Sequence, residues 1–80
     1  MERVSTGSRT YTVVLIPNEQ GGYSVEVPAL PGCFTHGATV EQALERAREA
    51  IEVHIAGLKA DGEEVPEEQG VRPMLALVTV

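Results

Sequence analysis

Apolar and polar positions divide the chain into short strand-like segments, one long stretch of helical period and a closing apolar run. Residues 10–16 (TYTVVLI) are β-branched and apolar on both faces, with Tyr11, Val13 and Leu15 on one and Val14 and Ile16 on the other, the pattern of a central strand. Pro17 ends it, since proline has no amide for the next ladder position. Asn18, Glu19, Gln20, Gly21 and Gly22 make a hairpin loop of turn-forming residues. Residues 23–27 then alternate, with Tyr23, Val25 and Val27 inward and Ser24 and Glu26 outward, as in a half-buried strand. Pro28, Ala29, Leu30, Pro31 and Gly32 interrupt the ladder, and residues 33–36 read as a short third strand.

A helix is predicted next. Thr39 and Gln42 form a T-x-x-Q capping box, in which the Thr39 hydroxyl takes the Gln42 amide and the Gln42 side chain reaches back to the Thr39 amide. From Val40 to about Lys59, the residues Val40, Ala43, Leu44, Ala47, Ile51, His54, Ile55 and Leu58 recur at helical spacing, with charged residues elsewhere. Glu41 and Lys59 suit the helix dipole, and Gly62 is the predicted stop. Residues 61–70 read as a polar loop, and residues 73–80 (PMLALVTV) as a final strand, apolar on both faces. Residues 1–9 (MERVSTGSR) show no period and are read as a flexible N-terminal arm, leaving 10–80 as a single domain.

The β-β-β-α-β order predicts a two-layer α+β fold, one helix on a four-stranded mixed sheet. A right-handed crossover would return the last strand beside the first, in the order 3-2-1-4. One helix covers one face only. The other, with Val14, Ile16 and alternate residues of the last strand, needs a second chain, which makes a homo-oligomer (dimer or tetramer) or a hetero-partner the expectation.

Composition narrows the function classes. Eighty residues make one domain near the lower size limit for a single core. With Tyr11, Tyr23 and Phe34 as the only aromatics, stacking platforms for single-stranded nucleic acid are few. Six basic against twelve acidic residues give a net charge of -6, which repels phosphate backbones and anionic membranes and favours a basic partner. One cysteine rules out an internal disulfide and a Cys-based zinc site, in keeping with a reducing compartment. The longest apolar run, residues 13–16, is too short to span a bilayer, and the opening Met1-Glu2-Arg3 lacks a signal peptide's apolar stretch, so a cytoplasmic location is expected.

Candidate chemistry is thin. His36 and His54 have no Cys or carboxylate at metal-ligand spacing, and Cys33 reads as a small buried hydrophobe rather than a nucleophile. Glu26 is the sole carboxylate on the first three strands, which disfavours a two-metal nuclease, and Gly21-Gly22 joins two strands rather than cradling a phosphate before a helix. No catalytic, metal-binding or cofactor-binding residue is assigned, and no enzymatic activity is expected. The unbalanced feature is residues 61–68 (DGEEVPEE), where Asp61, Glu63, Glu64, Glu67 and Glu68 occur without Lys or Arg. They form either a solvated loop or a docking edge for a basic partner, with Val65-Pro66 as its apolar anchor.

Residues 23–51 read YSVEVPALPGCFTHGATVEQALERAREAI, and here the chain resembles the HicB-like antitoxin family. The matching elements are Tyr23-x-Val25-x-Val27-Pro28, the Leu30-Pro31-Gly32-Cys33 turn, the Thr35-x-Gly37-x-Thr39 approach, and the helix with Glu41-x-Ala43-Leu44 and Glu49-Ala50-Ile51. The resemblance extends over about residues 10–80. It implies a degenerate, partial ribonuclease-H-like fold without catalytic carboxylates. It also implies a protein-binding role, neutralising a small basic HicA-like toxin that cleaves RNA with a histidine, by masking that site. Relatives often add a C-terminal DNA-binding motif. The sequence reads as a stand-alone form without one, so direct DNA binding by this chain alone is not expected. The alternative is an orphan homo-oligomeric regulatory or small-molecule-binding domain without a toxin partner.

Overall fold

The computed structural model describes residues 2–6, 9–68 and 74–80. Its elements are β1 (Glu2–Thr6), β2 (Arg9–Pro17), β3 (Tyr23–Glu26), β4 (Phe34–Gly37) and α1 (Val40–Ala60). The architecture is α+β, one helix and a four-stranded sheet. The sheet is antiparallel throughout and its strands lie in chain order, β1-β2-β3-β4. The expected mixed sheet with order 3-2-1-4 is therefore corrected.

The place beside β2 that residues 73–80 were expected to fill is taken by the N-terminal segment. Glu2 to Thr6 pair with Val13 to Arg9, and Val4, opposite Tyr11, is buried in the core. The arm reading thus fails for residues 2–6, while Met1, Gly7 and Ser8 lie outside the described residues. A single apolar residue in a polar stretch gives no readable period, yet it suffices to dock a strand once a neighbour supplies the ladder. Residues 74–80 belong to no strand and are exposed.

Register explains the two faces. Leu15, Val25 and Thr35 are cross-strand neighbours beneath the helix, while Val14, Glu26 and Phe34, and next to them Ile16, Ser24 and His36, lie on the opposite face. The core joins Tyr11, Val13, Val25, Val27, Leu30 and Cys33 to Ala43, Ala47, Ile51 and Ile55, the helical residues that the spacing predicts to face inward. Val40, in contrast, is exposed, and Leu44 and Leu58 are half-buried.

Both helix ends form as local chemistry dictates. Thr39 is the N-cap and its Oγ1 accepts from the Gln42 amide at 3.1 Å. The Gln42 side chain reaches the Ala38 amide at 2.7 Å rather than that of Thr39, because the extended backbone at Thr39 presents the preceding amide to the first turn. At the other end the Gly62 amide donates to the Lys59 carbonyl at 3.1 Å and the Glu63 amide to that of Leu58 at 2.8 Å, a Schellman closure. It needs a left-handed residue, and Gly62 supplies it with φ 72°.

Candidate protein-binding surfaces

Past the helix, the chain is strapped back onto the sheet. Val65 packs against the core, the Tyr11 hydroxyl donates to the Pro66 carbonyl at 2.5 Å, and the Thr12 hydroxyl donates to the Glu68 carboxylate. These contacts position the acidic residues that the composition singles out. Asp61, Glu63, Glu64 and Glu67 are exposed, whereas Glu68 is half-buried and bonded to Thr12. Val65 and Pro66 are both half-buried, Val65 packed against the core and the Pro66 carbonyl held by Tyr11, so the pair fastens the loop to its own domain. The exposed carboxylates thus stand on a segment held at its middle and its far end.

The uncovered sheet face is the second surface. Val14 is half-buried, Ile16 is 49% exposed and Phe34 65% exposed, with Glu26, Ser24 and His36 among them. Sequence alternation anticipates Val14 and Ile16 here but gives Phe34 no special weight. Beside the outer edge of β4 a groove of about 390 Å³ runs between that strand and α1, lined by Phe34, Ala50, Val53 and His54 together with Arg46 and Glu49. Val53 is 73% exposed although apolar. It falls outside the helix stripe, and that mismatch is the one sequence signal that could have found it.

The motif residues are divided by role. Tyr23 packs at the core margin, Pro28, Pro31 and Gly32 are exposed in the β3–β4 turn, and Cys33 is buried. That turn is held by the Leu30 amide on Val27 O and the Cys33 amide on Leu30 O, both at 3.0 Å. Gly37 and Ala43 meet where β4 closely approaches α1, and Thr39 is the cap. Glu41 and Glu49 are exposed on the helix, with Ala50 half-buried between α1 and the groove. Burial pushes the Cys33 thiol above its ordinary pKa, so it is a protonated core side chain rather than a nucleophile. His36 is exposed and His54 half-buried. Among the described residues no group of three or more His, Cys, Asp or Glu is placed to hold a metal, and no helix is long and apolar enough to cross a membrane.

Fold and surfaces together define a small helix-on-meander domain that presents an acidic strap and one open sheet face. Its family follows from comparison with known proteins. The chain belongs to the HicB-like antitoxin family of bacterial toxin-antitoxin systems, whose model matches residues 11–77. It is 50% identical over 56 residues to a UPF0150 protein of Thermoplasma acidophilum, covering 70% of this chain and 81% of that one. A UPF0150 protein of Synechocystis is 42% identical over 69 residues, covering 85% of this chain and 87% of the relative. Antitoxin HicB 1 of Photorhabdus laumondii is 41% identical over 56 residues, 70% of this chain but only 36% of the antitoxin. The chain therefore spans about a third of that antitoxin's length.

Proposed function

We propose that this domain is an antitoxin-type binding module that neutralises a small, basic, HicA-like RNA-cleaving toxin by masking its active site. Membership of the antitoxin family carries the reading. Charge supports it: the chain's net charge is -6, and Asp61, Glu63, Glu64 and Glu67 present four exposed carboxylates on one strapped segment. Such a surface draws a basic protein in and repels the RNA on which that protein acts. Masking needs no catalytic group in the mask.

The test is co-expression with a HicA-like toxin encoded beside this chain. Wild type is expected to restore growth and to co-purify with the toxin. Reversing Asp61, Glu63, Glu64 and Glu67 to Lys should weaken the complex by about tenfold or more at low salt, with the difference shrinking as salt rises. Glu68 is left intact because its bond to Thr12 ties it to the fold. Toxin that still arrests growth beside the wild-type chain would sink the reading. A homo-oligomeric regulatory domain without a toxin is the second reading, favoured by the open sheet face.

A further inference from the structure

Among the described residues the strand order leaves two open edges, one on β1 and one on β4. An open edge offers a row of unpaired amides and carbonyls to any extended segment. The two edges differ in their flanks. Beside β1 the surface around Val4 and Leu44 carries Arg3, Glu45 and Arg48. Beside β4 exposed Phe34 lies on the sheet side and exposed Val53 on the helix side, an apolar pair astride the edge. Natural edges are guarded by charge, and this one carries no Asp, Glu, Lys or Arg from Phe34 to Gly37, the nearest charges being Arg46 and Glu49 on the helix side of the groove.

The same chain contains a segment with matching needs. Residues 74–80 (MLALVTV) carry no charge and lie in no strand, and Leu75 is 97% exposed. Met74, Leu77, Val78 and Val80 are exposed as well. The segment is apolar on both faces, so seating it in a sheet requires apolar neighbours above and below. The β4 edge provides both, Ala50 and Val53 on α1 to one side and Phe34 on the other, with Glu26 behind Phe34 on the next strand.

We propose that residues 74–80 of one copy add as a strand to the β4 edge of a second copy, and reciprocally, so that the protein is a strand-exchanged homodimer. Reach favours the second copy over the same chain. Pro66 and Glu68 are fastened to Tyr11 and Thr12 on β2. The position beyond β4 lies three strand spacings away across the open face, about 14 Å. Six Cα-to-Cα steps lead from Glu68 to Met74 and span at most about 20–22 Å, and the two rows along β2 that separate Thr12 from the row of Val14 and Phe34 add to the lateral distance, so a seat on the same chain's β4 edge would use most of that length. Area is also adequate. Each of the five large apolar side chains per tail removes about 60–120 Å² from water when buried. Two tails and the surfaces receiving them then reach the roughly 1,200–2,000 Å² of a stable interface.

The experiment is sedimentation equilibrium of the full chain, without toxin, so that it succeeds or fails independently of the proposed function. Wild type should be a dimer. L75D/L77D should be a monomer with an unchanged circular dichroism spectrum, since the tail has no part in the core. F34D/V53D, which alters two exposed side chains, should also be monomeric and folded. An equimolar mixture of the two variants should regain dimer, because it unites an intact tail with an intact edge. A monomeric wild type overturns the proposal, as does a dimer that survives L75D/L77D. Loss of the dimer in the tail variant but not in F34D/V53D overturns the β4 edge as the acceptor, and a mixture that stays monomeric overturns the exchange.

Discussion

At Gly37, β4 and α1 come into close backbone approach. A Cβ built there would lie 2.4 Å from the Ala43 amide nitrogen and 2.6 Å from the Ala43 Cα, both backbone atoms that cannot yield without moving the helix. Gly37→Ala is therefore expected to cost about 2–4 kcal/mol in urea unfolding. Gly57→Ala is its control: a Cβ there meets nothing within 4 Å, so the change should stabilise by up to about 1 kcal/mol. A Gly37→Ala change tolerated as well as Gly57→Ala would show that the close approach to Ala43 does not constrain this position. Cys33 gives a second expectation at this scale. Its folded pKa is raised by burial, so on raising the pH the unfolded chain loses its thiol proton first. The stability contribution is full below the ordinary thiol pKa of about 8.5 and declines as the pH climbs through the raised folded value. Cys33→Ala should flatten that alkaline decline, and the native thiol should resist thiol reagents until the domain unfolds. Rapid labelling of the native protein would contradict the burial.

Among the elements, the strap of residues 63–68 depends most on single contacts. Tyr11→Phe keeps the buried ring but removes the donor to the Pro66 carbonyl, at a cost of about 1 kcal/mol. A glutamate-specific protease should then cut faster at Glu63, Glu64 and Glu67, and an unchanged cutting rate would show that Val65 packing alone holds the segment. The same elements show what could be read in the chain. The strand of alternating Tyr23, Val25 and Val27 and the helix with its Thr39 cap declare themselves because local chemistry and burial agree there. β1 is illegible because Val4 is its one buried apolar residue and its pairing comes entirely from β2. Residues 73–80 mislead for the opposite reason. Their pattern states that the segment suits a doubly covered strand, but a pattern does not say which sheet edge supplies the cover. The acidic run was visible as composition. The Tyr11 hydroxyl holds the Pro66 carbonyl from 55 positions away in the chain, and no local pattern reports a contact at that distance.

For the whole molecule, the meander order of the sheet has a further consequence in time. Each strand pairs with the one before it in the chain, across connections of residues 7–8, 18–22 and 27–33, and α1 follows β4 after residues 38–39. Closing such short loops costs little entropy, and topologies built from near-neighbour contacts fold quickly. The helix can settle on a sheet whose members are already in reach, and the strap of residues 65–68 then closes a long separation, back to Tyr11 and Thr12. A newly made chain is thus expected to fold quickly. In the proposed role, a molecule that must occupy its target before that target reaches RNA benefits directly from this speed.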